Sequence, residues 1–259
     1  MIFLTLGLLG FGVTDLLRFH PDSEEAGGRS RLIWHLPAVA AGAGVSGAIA
    51  ALAGSSLTEV VVVLMVGLAV LGIWVALDSG LRENWPIVPL MWVVAVMIAL
   101  FSISSLGDPV GGPLQHWYSA LDYAFVEEVD AGRFLLGCAA TIFALASCNR
   151  IVVLVLGLVP NSLGEDESRL KGGRFLGPME RIVIGAVILA GDPAAAAIFI
   201  TAKGLLRFPE INRGSKDERQ CSQGEKKRMS PDENTEYFLI GTVASLLLAT
   251  LLTAVISAS

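Results

Sequence analysis

Long apolar stretches, broken by short polar segments, dominate the chain. Continuous apolar runs occupy 36–54, 57–77, 87–106, 134–158 and 236–257, and a shorter one opens the chain at 2–17. A helix needs about 20 mostly apolar residues to cross roughly 30 Å of hydrocarbon. Backbone groups in lipid must be bonded within their own segment, so such runs are predicted helices. Barrel strands are about ten residues of alternating pattern, which these runs are not. The first run carries Asp15, has no basic residue before it and no small-x-small site after it, so it reads as a mature helix and not as a secretory signal.

A further pair, 175–190 and 194–208, flanks Gly191-Asp192-Pro193. At 1.5 Å per residue each arm is about 22–24 Å long, so the pair either just spans or forms a re-entrant hairpin. The expectation is an all-α polytopic bundle of about eight spans, or six plus the hairpin. Five helices fall in an N-terminal region, 1–158. The hairpin 175–208, a polar loop 209–235 and the last span fall in 159–259.

Basic residues then give the direction. Short cytoplasmic loops retain Lys and Arg. Eight spans divide the loops into two alternating sets, one holding fourteen basic residues (Arg18, Arg82, Lys171 and Arg213 among them) and the other only Arg133. Both termini are therefore expected outside, in a plasma membrane. The 209–235 loop contains Ser215-Lys216-Asp217-Glu218-Arg219 and Glu225-Lys226-Lys227-Arg228, and reads as a solvated cytoplasmic linker or a partner-docking segment. In the outer loop Leu114, Trp117, Leu121 and Phe125 recur at helical spacing. An amphipathic helix over about 114–129 is expected, lying at the membrane surface or packed on the bundle.

Composition supports the membrane assignment and excludes other classes. Of 259 residues, 54% are apolar and 16% charged, with a mean hydropathy of +0.67. Soluble domains are nearer a quarter charged. With 18 basic against 24 acidic residues there is no basic excess for nucleic acid. Small residues at four-residue steps (Gly42, Ser46, Ala50 and Gly54; Gly241, Ser245, Ala249 and Thr253) mark helix-packing ridges.

Charges inside apolar runs are the candidate chemistry, since each costs roughly 2.5–3.5 kcal/mol at a bilayer centre. Arg150, beside Asn149, lies in the fourth long run, unless the helix there stops near Cys148. Glu180 and Arg181 lie in the first hairpin arm, Lys203 and Arg207 in the second. Glu180 and Lys203 fall at nearly the same depth counted from the turn, which suits an ion pair. Asp15 is a partner for Arg150 or Arg181. These residues carry two positive charges in excess, so a cytoplasm-facing anion site is expected, for a lipid phosphate or another phosphorylated ligand. The competing expectation is a structural pair with snorkelling arginines.

The same residues carry a family likeness. Gly173-Arg174-Phe175-Leu176-Gly177-Pro178-Met179-Glu180-Arg181, then Ala202-Lys203-Gly204-Leu205-Leu206-Arg207-Phe208, then Glu236-Tyr237-Phe238-Leu239-Ile240-Gly241-Thr242 resemble the C-terminal signature of an uncharacterised bacterial family of polytopic membrane proteins. The likeness covers about 173–245. Upstream, Asp15 and His35 match that family's pattern weakly, and Leu16 stands where it has Phe. The resemblance implies a bacterial membrane location and a polar motif set, and no activity.

No Gly-rich phosphate loop, His-Glu-x-x-His or Cys-x-x-Cys is present. His20, His35 and His116 are too far apart to suggest a metal site, and no cofactor is expected. Function is thus read as binding or passing a small anionic ligand, or as a scaffold docking a partner through 209–235. An intramembrane enzyme acting on lipid, with Glu180 as its acid or base, ranks third.

Overall fold

The computed structural model describes residues 1–18, 28–81, 85–104, 110–122, 128–158, 173–202 and 231–258. The described residues form ten helices and no strand. They are α1 (Ile2–Leu17), α2 (Gly28–Leu52), α3 (Leu57–Leu81), α4 (Ile87–Ile103), α5 (Gly112–Ser119), α6 (Ala131–Leu145), α7 (Ser147–Leu156), α8 (Gly173–Leu189), α9 (Pro193–Ala202) and α10 (Pro231–Ala258).

Three helical stretches are long and apolar enough to cross a membrane: His35–Leu52, Leu57–Gly80 and Leu239–Ala258. The pair α6 and α7 qualifies as a fourth if its 43° bend is taken as one broken span. Helices α1, α4 and α9 are apolar but shorter. The described residues are thus all-helical in class, with apolar helices suited to a membrane, while an eight-span count goes beyond what helix length alone supports. The 134–158 run differs from its simplest expectation: it breaks at Ala146 instead of continuing. The outer helix is also shorter than 114–129. It ends at Ser119, Leu121 and Asp122 are not helical, and 123–127 lie outside the described residues.

One end of the bundle is tied together by caps and glycines. The Met1 amine donates to the Ser104 carbonyl, joining the start of α1 to the end of α4. Gly54 and Gly112 both have positive φ (89° and 62°). A Cβ on Gly112 would lie 2.9 Å from Gly54 backbone atoms, and the Gly111 amide donates to Ala53 O at 3.0 Å. Only glycine supplies both the left-handed backbone and this approach. Ser56 and Glu59 form a reciprocal capping box on α3, with bonds of 2.8 and 3.3 Å. Asp130 caps α6 through the Gly132 amide at 2.9 Å. The short α5 is held here too: buried Tyr118 donates to Val129 O at 2.7 Å. Burial, and the Asp130 charge after it, push the Tyr118 phenol up from its ordinary pKa.

Helix α1 lies at the centre, against α2, α3, α4, α6 and α7. Its Leu4, Leu8 and Phe11 enter a core with Trp74, Val75, Leu136 and Phe143. Close approach to α2 depends on small residues. A Cβ on Gly42 would collide with Thr14 Oγ1 and sit 2.6 Å from Gly10 O. Ser46 adds a bond of 2.9 Å to the Leu6 carbonyl. Helix α10 instead packs on α6, α7 and α8, and a second, smaller core joins Ile184, Ala196 and Ala249.

Candidate functional site: a buried charge quartet

Helical spacing gathers charges from three helices at one depth. Asp15 is fourteen residues from Met1, so it lies about 21 Å along α1. Arg18, one turn on, follows at i+3 and closes the helix. On α3, Trp74 and Asp78 are at i and i+4, hence on one face. On α7, Ser147 and Arg150 stand at i and i+3, also on one face.

The four ionic side chains form a closed arrangement. Arg18 bonds Asp78 Oδ2 through Nη2 at 2.9 Å and Asp15 Oδ1 through Nη1 at 3.3 Å. Arg150 bonds Asp78 Oδ2 through Nη1 at 2.7 Å, and its Nε lies 3.3 Å from Asp15 Oδ1. Each guanidinium therefore bridges both carboxylates. Trp74 Nε1 donates to Asp15 Oδ1 at 3.1 Å, and Ser147 Oγ donates to Asp15 Oδ2 at 2.6 Å. The side chains of Asp15, Arg18 and Asp78 are 0%, 2% and 3% exposed, and that of Arg150 is 23%. Two acids against two arginines sum to zero. Such a group withstands burial because every charge has an opposite neighbour at contact.

Of the residues singled out from sequence, Asp15 and Arg150 thus meet. Glu180 and Arg181, both buried, lie on α8. Arg181 donates through Nη1 to the Ala144 carbonyl at 2.8 Å and through Nε to Ser245 Oγ at 2.9 Å. It joins α8 to the end of α6 and to α10, apart from the quartet's bonds. Asn149 is half-buried on α7. Lys203 and Arg207 lie outside the described residues, as does the 209–235 loop up to residue 230.

Arg18 and Asp78 were missed, and they change the charge balance around Arg150 from surplus to neutral. Each stands at the end of an apolar run, where a charge reads as belonging to the adjoining loop. The signal was the helical offset: Asp78 falls one turn beyond Trp74, and Arg18 one turn beyond Asp15.

The break between α6 and α7 lies beside both features. Ala146, with φ −105° and ψ −68°, separates the two helices. Asp15 faces the first residue of α7, where helix polarity favours an anion, and Arg181 faces the last turn of α6, where it favours a cation. Among the described residues no group of three His, Cys, Asp or Glu side chains could hold a metal ion. Comparison with protein-family models, with curated proteins and with solved structures finds no match to this chain.

Proposed function

We propose that this is an eight-span integral membrane protein with both termini outside, acting as a scaffold that docks a cytoplasmic partner through the 209–235 loop. The observation that carries the reading is the neutral quartet: at the depth where a conduction path would need free or hydrated charge, two carboxylates and two guanidiniums bond each other. Internal pairing suits a fixed frame better than a passage.

The topology has its own support. The Met1–Ser104, Gly54–Gly112 and Asp130 contacts gather residues expected outside at one end. Pro86 and Gly157, expected near the cytoplasm, meet at the other, 3.6 Å from a Cβ built on Gly157. Exposed Trp117 stands at the first end and exposed Trp85 at the second, as membrane-surface anchors do. The plasma membrane is the expected location.

An anionic-ligand site is the second reading, and Arg181 favours it: this buried guanidinium has two neutral oxygens as hydrogen-bond acceptors. Single cysteines introduced along α7 and α8, in a chain without its native cysteines, separate the two. Scaffolding predicts protection from a cytoplasmic, membrane-impermeant maleimide throughout. Labelling that extends to 147–150 and 181–185 would support passage and defeat the scaffold.

A further inference from the structure

A helix interrupted inside a membrane protein has an identifiable cause: Pro, a Gly/Ser pair, a π-bulge, or a side chain or water inserted in its hydrogen-bond ladder. The sequence across the α6–α7 break, Phe143-Ala144-Leu145-Ala146-Ser147-Cys148, has neither Pro nor Gly, and Ala and Leu are strong helix formers. Ser147 is not bending the chain by bonding back to its own helix, because its hydroxyl goes to Asp15. The foreign group in the ladder is Arg181. In a continuous helix the Ala144 carbonyl would accept the Cys148 amide; here it accepts Arg181 Nη1 at 2.8 Å, while Ser245 holds Nε.

We infer that the α6–α7 break is a two-position joint latched bent by Arg181, through which α8 and α10 control the charge quartet. With the latch in place, the bend sets Ser147 and Arg150 against Asp15 and Asp78. Once Arg181 withdraws, the Ala144 carbonyl is left unbonded in an apolar interior, and the local sequence restores the ladder by straightening. Straightening swings α7 and carries Arg150 off its two carboxylates. A partner or ligand that competes for Arg181 would therefore loosen the quartet. This goes beyond the scaffold reading by giving its frame a second position, and it rests on that reading only for the membrane setting.

Electron spin-echo distances between labels at Arg133→Cys and Leu158→Cys, both exposed sites flanking the joint, test the latch directly. The background carries Cys138→Ala, Cys148→Ala and Cys221→Ser. From helical rise and the 43° bend, straightening lengthens the separation by about 2.5 Å. Arg181→Leu is expected to shift the main distance by that amount with helix content kept, and Ser245→Ala to add a longer population beside the original. An unchanged distance in folded Arg181→Leu overturns the inference. Should that variant not fold, Ser245→Ala decides: a second, longer population supports the joint, and a single population at the original distance refutes it. The distance is read in detergent and is independent of maleimide access, so failure of the joint and failure of the scaffold are distinguishable.

Discussion

The N-terminal helices and the C-terminal group α8–α10 handle buried charge differently. Around α1, each acid and each arginine of the quartet touches two opposite charges, and α1, which carries two of them, lies so close to α2 that Gly42 has no room for a side chain. In α8–α10, the hydrogen bonds of Arg181 run to a carbonyl and a hydroxyl, with the buried Glu180 carboxylate as its neighbouring opposite charge, the shared core is small, and Gly185 would accept a Cβ at an ordinary 3.4 Å from Thr253 Oγ1. Charges that neutralise one another favour one geometry for as long as the joint stays bent, because moving any member strands the rest. A guanidinium whose hydrogen bonds run to neutral groups can exchange them, since water, another carbonyl or an anion can take their place. The first region is built as a frame, the second as a movable attachment to it.

Removing a quartet member is the most severe way to test that contrast. Asp15→Ala leaves two guanidiniums with only Asp78 between them and strips Trp74 and Ser147 of their acceptor. It should cost about 3–5 kcal/mol, seen as lost folded yield and a large fall in the melting temperature in detergent. Next is Gly42→Leu, which forces α1 and α2 apart at Thr14 and Gly10. Overpacking of this kind costs about 1–3 kcal/mol, and its melting transition should fall clearly below wild type. Trp74→Phe keeps most of the ring and removes the bond to Asp15, for a loss of about 1 kcal/mol in the same melt. The smallest effect belongs to the looser region. Gly185→Ala should leave the melting temperature unchanged or raise it slightly, because Ala is the better helix former by about 0.5–1 kcal/mol. If Gly185→Ala were as damaging as Gly42→Leu, the two regions would not differ in packing as described.

Much of the architecture was legible because lipid imposes one requirement, an uninterrupted apolar helix. The runs at 2–17, 57–77, 87–106 and 236–257 lie within or nearly coincide with α1, α3, α4 and α10. Arg150 and Asp15 stood out because a charge inside such a run demands a partner. Arg18 and Asp78 did not, since the ends of apolar runs commonly carry charges that water satisfies. Only the three-dimensional convergence of α1, α3 and α7 shows that these two face inward. The break at Ala146 was hidden for a related reason: its cause sits on α8, thirty-five residues beyond, and nothing in 143–148 announces it. Ala144 contributes through its carbonyl, which residue type does not encode.

The central claim, that the quartet is a self-neutralising unit, is tested most directly by a double-mutant cycle on Asp78 and Arg150. Asp78→Asn alone leaves one positive charge in excess, and Arg150→Met alone one negative. The double variant restores balance, with Asp15 still facing Arg18. Unfolding free energies in detergent micelles should show the double variant more stable than either single one. If the two losses simply add, Asp78 and Arg150 do not compensate each other, and the quartet is not the unit described.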